Sequence, residues 1–444
     1  MGAPETNFNN SPVFPRNLQV QCNEGHLPGA LDCPNMSVGV NSPAQKGPIG
    51  DRMESPWDEW APGALNRRQM GQLLHVHDGF ITYSGKTPKV GHSSMDLSLA
   101  DEAYEMLRGS VKPHTSPYIW SITRSAELAK KHEPLPDGSY ELTRQKTYVF
   151  KLEQRLEANL RNSKVIYGQA TAKSSVGRVD VLARLIVDGM KTYEKFEPAG
   201  LEMGSGEMYL EITPITFNVR VKPGEPLSQL RLFYGKPSDA VVQGKELCNT
   251  IFRGAGNEDG SLGVNLSVAT IGDLSGSPHA GVAFRSKPWV DGQTSVPLWE
   301  VDEKPDPCKY WNIEVADDLH RLYIEKDSFY ILRSKEKLYV PKGIAIYCRA
   351  RDETMGEMRI HYAGFVHPYF GLFREDGTQG TPLIFEVRGH QVPVILADGE
   401  KMANLIFYRM SEDAPELSDN EKENEAKGYS SQGLTLSKFF ANWP

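Results

Sequence analysis

The chain has 444 residues, 39% hydrophobic and 24% charged, with 49 Lys and Arg against 57 Asp and Glu for a formal net charge of −8. That length exceeds one ordinary domain and fits two cores with appendages. A sequence pI near 5.8 excludes a global basic field for a nucleic-acid polymer, and no apolar run approaches the roughly 20 residues of a membrane span.

Residues 1–62 are rich in Asn, Pro, Gly and Ser and are read as an irregular N-terminal extension that cannot bury enough apolar surface to order itself. The start lacks the basic and apolar regions of a signal peptide, so a cytoplasmic protein is expected. Five widely spaced cysteines (Cys22, Cys33, Cys248, Cys308, Cys348) argue against a disulfide framework. Cys22, His26 and Cys33 come nearest to a metal-ligand cluster, but their spacing matches no standard zinc site.

Structure is expected from Leu65. Residues 66–74 read as a short amphipathic helix with Leu65, Met70, Leu73 and Leu74 on its apolar side. From there strand signals dominate, at 79–83, 94–99, 147–152, 207–213, 217–221, 328–332, 345–348, 382–387 and 404–408. Gly- and Pro-containing turns separate them at short intervals, the pattern of a sandwich or barrel. The order repeats: a Glu-bearing strand (Glu211, Glu386), an apolar strand, a Gly-Glu turn and a further strand occur in each half, which points to duplication. Turn-rich residues 235–260 hold the break, giving expected domains of 63–245 and 246–444 after the extension.

Residues 173–178 (Lys-Ser-Ser-Val-Gly-Arg) combine small residues, hydroxyls and two cations. Close backbone approach, donors and neutralising charge are what a phosphate needs; a plain polar surface turn is the alternative. Glu211 and Glu386 lie within apolar strands, each either solvent-facing or held where its pKa is tuned. Residues 361–365 (His-Tyr-Ala-Gly-Phe) present a small Ala-Gly step against which a planar base can lie, or else form a hairpin with an aromatic core residue. Residues 428–438 follow an acidic polar stretch and read as a lid over a ligand or as a terminal strand.

Together with 93–99 and 226–233, these stretches resemble the deoxycytidine triphosphate (dCTP) deaminases of the dUTPase-like superfamily, in the long bacterial form that carries two such domains. The resemblance runs from about Leu65 to Phe440. It implies a mainly β protein of two tandem dUTPase-like distorted β-barrel or jelly-roll domains with a few short helices. It also implies a homo-oligomer with sites between domains. Its chemistry is metal-independent hydrolysis of dCTP to dUTP and ammonia, with Mg²⁺ entering on the triphosphate and no zinc. The His-x-Glu and Pro-Cys-x-x-Cys pattern of zinc deaminases is missing.

By the same resemblance, Glu386 or Glu211 is the acid–base residue, and Ser175 places the water. Lys173, Ser174, Arg178, Gln229, His361, Tyr362, Ala363, Phe365, Tyr429, Gln432 and Lys438 bind the nucleotide. The first half keeps the Ser-Ser turn and the second keeps the Tyr-Ala-Gly-Phe hairpin, so one composite site of unlike domains is expected. His367 stands where the hairpin usually has an aspartate, which counts against diphosphatase activity. The alternatives are a dUTP or dCTP diphosphohydrolase, a bifunctional enzyme giving dUMP, and a non-catalytic nucleotide sensor.

Overall fold

The computed structural model describes residues 56–444 apart from 76–78, 115–116, 272–278, 352–357, 361–363, 374–379 and 429–432, and the backbone alone at 358–360. Strand is the dominant element, at 39% against 14% helix, as the turn-punctuated alternation requires. The first half is organised on a sheet whose neighbours run in the order Val181–Val187, Glu207–Pro214, Thr147–Leu156, Met95–Met106, Pro226–Tyr234, Ile166–Ala172 and Lys195–Phe196. All these pairings are antiparallel. The sheet curls into a nearly closed barrel, which leaves little free edge.

From residue 241 onward two five-stranded sheets repeat the theme. One carries Lys401–Arg409, Ile344–Ala350 and Gly364–Val366; the other carries Ala283–Ser286, Phe329–Leu338 and Thr381–Gly389. Every strand expected from the sequence is present, with shifted ends: 79–83 is strand only over Ile81–Tyr83, and 217–221 only over Val219–Val221. The expected helix is Arg67–Leu73, entered through a capping box in which Asn66 and Gln69 satisfy each other's backbone N–H groups. Residues 433–444 contain no strand.

The halves are joined rather than apposed, and Ser55–Pro444 is one compact unit. Val296–Pro297 adds a parallel strand to Val219–Val221. Phe217, Tyr310, Trp311 and Phe440 share one aromatic cluster, with Phe217–Trp311 centroids 5.5 Å apart and Phe217–Tyr310 also at 5.5 Å. Gly63 lies against Met410 and Ser411 so closely that a Cβ would sit 2.5 Å from the Ser411 nitrogen.

Arg231 is the deepest link. It is wholly buried, and its guanidinium donates to Ser93 O (3.2 Å), Ser93 Oγ (3.1 Å), Ile346 O (2.9 Å) and Val366 O (3.2 Å) while lying 4.1 Å from the Phe365 ring. Burial pulls its pKa down to about 9, so the charge persists at neutral pH, stabilised by dipoles and a π face. The end of the expected N-terminal extension is irregular yet anchored: Trp57 meets Phe80 edge-on at 5.0 Å, and Trp60 is buried beside Tyr234. Cys22, His26 and Cys33 lie outside the described residues. Among the described residues no helix is long and apolar enough to cross a membrane.

Candidate active site

Strand Ile166–Ala172 delivers the chain into a single helical turn, Ser174–Gly177, with extended Lys173 as its first flank. The turn closes through Val176 N–H and Gly177 N–H to Lys173 O, at 2.8 and 3.1 Å. Its first N–H groups have no acceptor within the turn. Arg178, buried at its end, donates from Nε to Ser174 Oγ (3.2 Å) and from Nη1 to Thr435 O (3.4 Å). Ser437 Oγ donates to Ser175 O at 2.6 Å. The C-terminal segment therefore lies directly on the Ser-Ser turn.

Lys173 Nζ donates to Asp96 Oδ2 at 2.6 Å. Gln229 sits between Asp96 and Thr171 in the sheet register and accepts from Ser94 Oγ at 3.0 Å. Lys173, Gln229 and the turn thus share one end of the first-half barrel, together with Asp96, which the sequence reading did not single out.

Glu386 comes to this place from the other half, on strand Thr381–Gly389. It is 4% exposed, so the solvent-facing reading fails. Burial pushes its pKa up to about 8; Arg178 beside it pulls down, and Asp180 pushes further up. Asp180 is itself fixed: it is fully buried at φ 58°, accepts from Thr216 Oγ1 and pairs with the Arg388 guanidinium. Glu386 and Arg388 are two apart on one strand and so share a face. That spacing, with Asp180 two beyond Arg178, was the available signal for the residues that sequence reasoning missed.

Glu211 is placed differently. It is 1% exposed, so it too is not solvent-facing. Its Oε1 accepts from Arg184 Nε (3.1 Å) and Nη2, and its Oε2 accepts from Tyr193 OH (3.0 Å). The Arg184 guanidinium stacks 4.2 Å from the Tyr193 ring. Both carboxylate oxygens are occupied by protein donors.

Of the other expected nucleotide contacts, Phe365 serves the interface between halves as the ring beneath Arg231. Lys438 is exposed, with Nζ 5.5 Å from the Phe439 ring; its neighbours Thr435 and Ser437 meet the turn instead. His361, Tyr362, Ala363, Tyr429 and Gln432 lie outside the described residues. Two surface clefts, one lined by Trp60, Arg68 and Glu412 and one by Thr82, Asp101 and Glu207, contain neither the turn nor Glu386.

Chemically, the geometry joins a hydroxyl-bearing turn flanked by cations to a buried carboxyl poised to exchange a proton near neutral pH. No curated protein sequence matches the chain significantly. Among solved structures, 2'-deoxycytidine 5'-triphosphate deaminase from Agrobacterium tumefaciens is similar, with a TM-score of 0.66 and 27% identity over 80% of this chain and 100% of that one. The family model for the 2'-deoxycytidine 5'-triphosphate deaminase N-terminal domain matches residues 61–236, and that for the C-terminal domain matches 240–440. The two models are parts of one family and follow each other in order along the chain, which therefore belongs to the 2'-deoxycytidine 5'-triphosphate deaminase family.

Proposed function

We propose that the chain hydrolyses dCTP to dUTP and ammonia at a composite site made from the Ser-Ser turn of its first half and Glu386 of its second. One observation carries this reading: Glu386, raised to about 8, lies beside Arg178 and Asp180 from the other half. A carboxyl that is neutral at pH 7 yet readily ionised suits a proton shuttle.

In the proposed reaction a water oxygen bonds to C4 of cytosine as Glu386 hands its proton to the ring nitrogen. The carboxylate so formed takes a proton from the added water and passes it to the amino group. As the C4–N bond breaks and ammonia leaves, the remaining hydroxyl proton on C4 returns to the Glu386 carboxylate, which leaves dUTP and restores the acid. Arg178 steadies the carboxylate while it is charged, and the Ser175 hydroxyl orients the water. Lys173, Ser174 and Arg178 receive the triphosphate, which brings Mg²⁺ on its own oxygens. The zinc-deaminase pattern is missing from the sequence, which supports proton transfer rather than a Lewis acid at C4.

Purified protein incubated with dCTP and Mg²⁺, with products resolved by chromatography, tests the reading. Release of dUTP and ammonia, lost in Glu386→Gln, supports it. Formation of dUMP and pyrophosphate would replace it with a diphosphohydrolase or bifunctional enzyme. Nucleotide binding without turnover would make the protein a sensor. Mixing Ser175→Ala with Glu386→Gln chains distinguishes sites within a chain, which stay inactive, from sites between chains, which recover activity.

A further inference from the structure

Away from the turn, three side chains from three parts of the sequence converge. His92 precedes the first long strand, His367 follows strand Gly364–Val366, and Glu425 lies on the helix Asp419–Lys427. His92 Nε2 is 2.9 Å from Glu425 Oε1, and His367 Nε2 is 3.9 Å from Glu425 Oε2. One ligand atom from each residue lies within 4.8 Å of the others. The two imidazole centroids are 5.1 Å apart.

The surroundings are those of a built site. His367 Nδ1 lies 2.7 Å from Pro368 O. Donating to that carbonyl fixes the tautomer and leaves Nε2 as a free acceptor aimed at the cluster. His92 Nδ1 is buried, with no hydrogen-bond partner among the described residues. Tyr369 packs against His92 at 5.6 Å, its backbone at φ 75° and its hydroxyl donating to Ala414 O and Pro415 O.

We infer that His92, His367 and Glu425 bind one zinc-class divalent transition-metal ion. Two imidazoles and one carboxylate are the donors Zn²⁺ accepts, and they are poor ligands for Mg²⁺, which demands oxygen. Water completes the coordination. The ion clamps the acidic helix that leads into the C-terminal segment, and that segment lies on the Ser-Ser turn through Thr435 and Ser437. Its role is positional, since none of the three ligands is among the charged neighbours of Glu386, which are Arg178 and Asp180.

The test uses the full chain, stripped with a chelator and titrated with Zn²⁺ by calorimetry, with thermal unfolding followed in parallel. One Zn²⁺ per chain and a Tm that rises with free Zn²⁺ are expected. Co²⁺ in its place gives visible d–d absorption. His92→Gln and Glu425→Gln each weaken uptake by more than the roughly 10–100-fold that loss of an outer-shell partner brings. Exposed His279→Gln leaves uptake unchanged. Glu425→Gln, on a surface helix, decides the matter should a histidine variant fail to fold. Absence of uptake by the wild type overturns the inference. So does uptake that survives both ligand variants but is lost in Cys22→Ser or Cys33→Ser, which locates the ion in the N-terminal region.

Discussion

Glu211 and Glu386 occupy matching places in the two halves, each on a strand followed by a short strand and then a long one. Both are buried, and they are set to different tasks. Glu211 is clamped on both oxygens by Arg184 and Tyr193. Glu386 faces a cation and an anion at once, and burial dominates, so its proton is available near neutral pH. On the proposed reading, two similarly ordered sets of strands hold one carboxylate for structure and one for chemistry, and the difference lies in two or three neighbours rather than in the strand.

The comparison breaks most severely at Glu386. Glu386→Gln keeps the volume but removes the proton shuttle, and a loss of roughly 10²–10⁴-fold in turnover of dCTP is expected. The same variant reads out the buried carboxyl in stability. Its folded-state pKa lies above the ordinary 4.5, so the folded protein binds the extra proton between 4.5 and about 8. Stability from this group is fully present below 4.5 and is lost as pH rises through 8. The Tm of Glu386→Gln relative to wild type therefore climbs from pH 5 to pH 9. A difference independent of pH would remove Glu386 from the candidate site.

Next in size is the joint that brings the unlike halves together. Arg231→Met leaves Ser93 O, Ile346 O and Val366 O without their donor. Each buried acceptor so stranded costs roughly 1–3 kcal/mol, and a loss of about 3 kcal/mol or more is expected in denaturant unfolding. Glu211→Gln is milder, at about 1–2 kcal/mol, because its partner Arg184 is 35% exposed and partly solvated. Its turnover of dCTP stays far closer to wild type than that of Glu386→Gln.

Much of this was legible in the sequence for identifiable reasons. Period-two alternation and Gly/Pro turns are local, so strands such as Thr147–Leu156 and Glu207–Pro214 announce themselves. The Ser-Ser turn is legible because its small residues, hydroxyls and cations are contiguous. The choice between the two glutamates was not, since it depends on Arg184 and Tyr193 for one and on Arg178 and Asp180 for the other. Arg231 reads as an ordinary strand residue in Pro226–Tyr234, and only the packing of the second half makes it a buried joint. The His92, His367 and Glu425 cluster spans more than three hundred positions and has no local signature.

The finest adjustment of the comparison lies in Asp180. Its charge pushes Glu386 up while Arg178 pulls down, and it holds Arg388, which shares the Glu386 strand face. Asp180→Asn keeps the shape and the hydrogen bond to Thr216 but deletes the charge. The Glu386 pKa then moves down toward the ordinary carboxylate range, because a like charge has been removed while burial remains. The step in relative Tm against Glu386→Gln shifts to lower pH by about one unit or less. An unmoved step would mean that burial alone sets Glu386. A downward step would show that the first half tunes the acid of the second, which Glu211, already neutralised by Arg184, does not require.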